Sequence, residues 1–181
     1  MNPLLACLAL PFALLALPLG SSHGPRADAS SLLPHPHFKK KLECRVSPEV
    51  TVTVDYQTVT FDKEGAAAMK SGEAWHLAGA TFATTGALVV GGQKVAAGTY
   101  ALSARKTAAD GWELTLHEGR GFSLPNGDGV IALATALDRE SLLYEHMNID
   151  VQPAGDKAHT RLQLEVRFAR MWATAVIEVP K

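Results

Sequence analysis

Cysteine is scarce in this sequence: two in 181 residues, too few for a disulfide framework. Neither sign of charge is in excess. Seventeen Lys and Arg stand against 18 Asp and Glu, for a formal net charge of −1. That removes any electrostatic case for nucleic acid or for an anionic membrane surface as partner. The longest basic run is Lys39-Lys40-Lys41, which reads as a solvated segment. No His-Glu-x-x-His pair, no Gly-x-Ser-x-Gly elbow and no phosphate-cradling glycine loop before a helix occurs. No cofactor and no metal are expected.

Long apolar runs are confined to the N-terminus. Leu4 to Leu19 is nearly all Leu, Ala and Phe, broken by Pro11 and Pro18. It is too short and interrupted to span a bilayer, and reads as a secretory signal peptide over 1–20. Small residues at Gly20, Ser21 and Ser22, or the Ala27-Asp28-Ala29 triplet, place the cut within 20–29. The expected location is exported, periplasmic or extracellular, with no membrane span in the mature protein. An uncleaved N-terminal anchor is the alternative. Leu4-Leu5-Ala6-Cys7 has the look of a lipidation box, but too few apolar residues precede the cysteine. Loss of the signal would leave Cys44 alone. Leu42, Cys44 and Val46 alternate with Lys41, Glu43 and Arg45, so Cys44 reads as a small buried apolar residue.

Residues 21–38 are rich in Ser, Pro and His and read as a flexible tether. Two histidines in a tail, His35 and His37, make a poor metal site. The remainder, 39–181, is one domain. It is 47% hydrophobic and 19% charged over the whole chain, an ordinary globular composition. A domain of this size buries roughly 68–70% of its unfolded surface.

That domain is a succession of period-two segments. Val50, Val52, Val54 and Tyr56 alternate with Thr51, Thr53, Asp55 and Gln57, and the phase flips at Val59 and Phe61, which predicts a bulge or bend near Thr58. Trp112, Leu114 and Leu116 alternate with Glu113, Thr115 and His117. Leu143, Met147, Ile149 and Val151 share a face on which Glu145 is the exception. Leu162, Leu164, Val166 and Phe168 alternate with Arg161, Gln163, Glu165 and Arg167, and a last strand runs from Trp172 to Val179. The stretch 91–119 reads as short strands joined by tight turns, with Gly91-Gly92 tolerating positive φ. Strands buried on one side and joined by reversals pair into two facing sheets. The expected fold is a single all-β antiparallel sandwich. Helix is expected around Ala66 to Met69, closed by Ser71-Gly72, and in a second turn near Asp138 to Leu143.

Trp75 followed by Gly79-Ala80-Thr81, then Gly-x-x-Val-x-Ala-Gly-Thr-Tyr over Gly92 to Tyr100, then Trp112-Glu113-Leu114, resembles the DUF2911 family. The Val52 to Tyr56 and Ala175 to Val179 strands are similar too, so the likeness covers Val50 to Val179. It implies a mostly bacterial, exported protein of unknown function. The family's usual Arg after the tryptophan is His76 here, and its Gly-Ala-Asn is Gly79-Ala80-Thr81. The family supplies no established catalytic residue to carry over.

The candidate ligand-binding residues are Trp75, His76, Tyr100 and His146. An aromatic face beside an imidazole could line a pocket; the competing reading makes Trp75 a core anchor. Tyr144, His146, Asn148, Asp150 and Gln152 form a polar stripe, read as solvent-facing or at a sheet edge, in which i and i+2 lie ~7 Å apart. Asn126-Gly127-Asp128-Gly129 reads as a turn, lacking a calcium loop's carboxylate ladder. The expected function is that of an exported, non-catalytic β-sandwich, either a ligand-binding module or an envelope-associated structural domain, with a small molecule or an envelope component as partner. The alternative is a metal-dependent or hydrolytic enzyme in which His76 and His146 converge across the sheets beside Asp55 or Asp150.

Overall fold

The structure, a computed structural model, describes residues 37–108, 111–120, 122, 129–154 and 161–180, with the backbone alone at Glu140 and Ser141. The expected signal peptide, most of the tether, and the Asn126 to Asp128 part of the turn lie outside these residues. All described residues belong to one compact unit, His35–Lys181. Among them, no helix is long and apolar enough to cross a membrane.

The expected all-β sandwich is what forms. The first sheet holds β1 (Lys39–Arg45), β2 (Thr51–Gln57), β3 (Ala74–Trp75), β4 (Thr81–Thr84), β7 (Gly98–Ala108), β8 (Gly111–Glu118) and β9 (Val130–Ala132). Its order is β1-β2-β4-β7-β8-β9, with β3 paired beside β4 on β7. The second sheet holds β5 (Leu88–Val90), β6 (Gln93–Val95), β10 (Ala136–Pro153) and β11 (Arg161–Glu178), in the order β10-β11-β5-β6. Every strand pair is antiparallel, as local reversals between one-sided strands require.

The core joins the inner faces of both sheets. Val52, Val54, Phe82, Leu102, Leu114 and Leu116 come from the first; Met147, Ile149, Leu164, Val166, Phe168 and Ile177 come from the second. These are largely the positions the alternation marked. At its centre, Phe168 meets Phe61 at 5.5 Å, Trp75 at 5.2 Å and Trp112 at 5.8 Å between ring centroids. Such ring contacts add to the burial of large apolar surfaces.

The phase flip after β2 has a tertiary cause. The chain leaves the first sheet at Thr58, and residues 59–61 pair with the free edge of β10. Met147 N donates to Val59 O at 2.8 Å, Phe61 N to Glu145 O at 3.1 Å, and Thr60 bridges His146. The end of the expected tether is likewise held. Phe38 N donates to Thr58 Oγ1 at 2.8 Å, and the His37 ring lies 2.7 Å from Thr58 O through Nδ1, so order begins before residue 39.

Helix α1 (Lys63–Ala68) covers most of the expected turn of helix. Asp62 caps it by accepting from Gly65 N at 2.9 Å. The second expected helix is absent: Asp138 to Leu143 is part of β10. The strand is irregular there because it bulges. Arg139 pairs with Met171 and Tyr144 with Ala169, so residues 140–143 on β10 stand opposite Arg170 alone. Leu143 consequently leaves the face of Met147, Ile149 and Val151, and is 59% exposed. The partner strand turns at the same place, where Ala169 has φ of 50°.

Gly91 and Gly92 make the predicted reversal with φ of 50° and 76°. Gly91 is doubly required, because a Cβ there would lie 2.7 Å from Ala134 N and 2.8 Å from Leu133 Cβ.

Candidate functional site

The bulge in β10 and the turn in β11 open a cavity of about 730 Å³ at one end of the core. Its floor is apolar: Phe61 from the segment that crosses between the sheets, Trp112 from β8, Ala66 and Ala67 from α1, Ala169 and Met171 from β11. Its polar residues are lopsided in charge. Among the described lining residues, Lys63, Lys106, Arg139 and Arg170 are cations and Glu145 is the sole carboxylate. Leu142 and Leu143, 65% and 59% exposed, stand on the bulge, and Leu143 lines the opening.

Lys106 is the least usual member. It lies on the inward face of β7 opposite Trp112 and is only 6% exposed. Lysine is almost never buried without a partner. Here Nζ donates to the carbonyl oxygens of Ala66, at 2.7 Å, and Ala67, at 3.3 Å. These are last-turn carbonyls of α1, left without intrahelical partners as at any helix end. The side chain is thus held at the cavity wall. No carboxylate among the described residues pairs with it.

Of the four sequence-derived candidates, only His146 lines this cavity. Its ring lies 6.4 Å from that of His37. Trp75 is packed edge-to-face against Phe61, Trp112 and Phe168 at 6.2, 6.5 and 5.2 Å, and is a core anchor behind the cavity rather than its wall. Tyr100 is buried, and its hydroxyl donates to Ala96 O at 3.0 Å. That bond ties the strand to the turn that starts it, which is a structural role. His76 points elsewhere: its ring meets Phe122 at 4.8 Å, and its buried Nδ1 has no hydrogen-bond partner among the described residues. It opens a left-handed turn in which Leu77 and Ala78 have φ of 45° and 55°. The structure therefore does not gather His76 and His146 at one place. Among the described residues, no group of three or more His, Cys, Asp or Glu is positioned to hold a metal ion.

The polar stripe lies on β10, an edge strand of its sheet, and several of its side chains are bonded within the protein. Asn148 Oδ1 accepts from Tyr56 Oη at 3.0 Å and from Lys40 Nζ at 3.1 Å, across the two sheets. Gln152 donates to Glu165, a carboxylate only 1% exposed, whose other oxygen accepts from Arg167 at 2.8 Å. The Arg167 guanidinium lies 4.9 Å from the Trp172 ring and 5.8 Å from that of Tyr144. His117, placed by alternation on the polar side of β8, is 3% exposed. Burial lowers its pKa below the ordinary histidine value, partly opposed by a backbone hydrogen bond at Glu118.

Sequence reasoning missed Lys63, Lys106, Arg139 and Arg170. A cation at an inward strand position, Lys106 after Leu102 and Ala104, was the one signal present.

The fold and cavity define a class: an all-β sandwich with an apolar, cation-rimmed cleft at one end. No protein-family model, curated protein or solved structure matches the chain.

Proposed function

We propose that the domain is a non-catalytic ligand-binding module whose occupant is a small molecule with a substantial apolar body. One observation carries this reading: the cavity of about 730 Å³ floored by Phe61, Trp112, Ala67 and Met171. Its size falls within the range of small-molecule sites, which are largely apolar with a few placed polar groups. The signal-like segment at Leu4 to Leu19 supports export as the setting, and the DUF2911-like motifs support the same. In that setting the ligand would come from the periplasm or the medium, or be an envelope component.

The test is binding of the neutral fluorophore N-phenyl-1-naphthylamine to the folded protein. Saturable enhancement with a blue shift is expected, and Ala67→Trp, which fills the cavity from α1, abolishes it. Absence of saturable binding, or binding untouched by Ala67→Trp, would overturn the reading. Export is checked separately, by mass spectrometry of protein recovered outside the cytoplasm. The expected N-terminus lies within 20–29.

A further inference from the structure

We infer that the occupant of this cavity is a single-chain amphiphile with a carboxylate head, and that Lys106 receives the head. The inference rests on the ligand-binding reading above and adds the chemistry of the ligand's polar end.

Charge removed from water is destabilising unless it is paired and hydrogen-bonded. Lys106 is 6% exposed, and no carboxylate among the described residues compensates it. The carbonyls of Ala66 and Ala67 take two of its donors. An ammonium has three, so one N–H remains on a side chain that lines the cavity. A single buried cation with one donor left suits a monoanion. The wall around it suits an alkyl chain: Ala66 and Ala67 on one side, and Trp112 opposite Lys106 across the β7–β8 pair. The exposed Leu143 extends the apolar surface to the mouth, where a chain longer than the cavity would lie. A bound carboxylate and Lys106 would then compensate one another in a site of low polarity, where such bonds are strongest.

The experiment is displacement of N-phenyl-1-naphthylamine by dodecanoate and by dodecanol, each below its aggregation concentration. Dodecanoate is expected to displace the probe at a concentration about tenfold or more below that of dodecanol. Each methylene removed from the carboxylate series weakens it about fourfold. Lys106→Met brings dodecanoate to the level of dodecanol, each read against that variant's own affinity for the probe, and Lys106→Arg restores the preference. Because Lys106 also caps α1, a measurement on the unmodified protein accompanies these. The carbon-13 signal of carboxyl-labelled dodecanoate is titrated with pH when bound. Its carboxyl group is expected to ionise at lower pH than in water, because the adjacent ammonium favours the charged form by more than burial opposes it. Equal displacement by acid and alcohol, or a bound carboxyl group that ionises no lower than free, overturns the inference and leaves the apolar site standing. Failure of the neutral probe to bind overturns both.

Discussion

Cys44 illustrates how a residue's chemistry is set by its surroundings. Its thiol lies 3.6 Å from Val151 O. Burial raises its pKa, and the negative charge of nearby Asp150 raises it further. The thiolate is the nucleophile, so at pH 8 the folded protein should react with iodoacetamide more slowly than glutathione does. Unfolding in guanidinium should remove the difference. His117 gives the corresponding statement about stability. Its folded pKa is depressed below that of the unfolded chain. The unfolded state therefore binds more protons as pH falls below the ordinary histidine value, near 6.5. The contribution is complete above that value and is lost progressively on acidification toward the depressed folded value. Thermal melts should show Tm falling over this window, and His117→Leu should flatten the fall. Tyr100→Phe tests a former site candidate. Loss of its bond to Ala96 O should cost about 1 kcal/mol in a denaturant titration and leave binding of the apolar probe unchanged.

At the scale of elements, the bend of the β10–β11 ribbon governs the site. Two sequence-distant features coincide there, the extra residues 140–143 and the left-handed Ala169. An alanine in this conformation costs roughly 1–2 kcal/mol relative to the usual regions. Glycine relieves that cost but has more freedom to lose on folding. Ala169→Gly should therefore stabilise by about 0.5–1 kcal/mol, read as a higher denaturant midpoint at constant m-value. A lower midpoint would show that the turn is not held as described. The misread helix at Asp138 to Leu143 belongs to this same bend. Its leucines follow neither strand nor helix period, because they sit on residues that have no cross-strand partner.

For the whole molecule, stability rests on one core shared by the two sheets. Phe168 touches rings from the crossover, the first sheet and the β7–β8 hairpin. Phe168→Ala should cost about 3–5 kcal/mol, a large share of what a domain possesses. Loss of cooperative unfolding by near-UV circular dichroism is the expected readout. The variant also removes the wall against which Trp75 and Trp112 are set. Binding of the apolar probe should accordingly fall with stability.

The alternation of Val52 to Tyr56, Trp112 to Leu116 and Leu164 to Phe168 was sufficient to determine strands, their inner faces and the all-β class. Period and turn chemistry are local properties, and each residue carries its share of them. The sandwich's cavity was not determined in that way. Lys106, Ala67, Trp112 and Met171 come together only because β10 bulges opposite Arg170 and the chain crosses between sheets at Thr58. No local pattern encodes a meeting of four segments. Tertiary packing also decided that Trp75 and Tyr100 serve the core, that His117 and Glu165 are buried on faces that read as polar, and that a lysine lines an apolar cavity. Whether a polar side chain meets water or protein depends on what the rest of the chain lays over it.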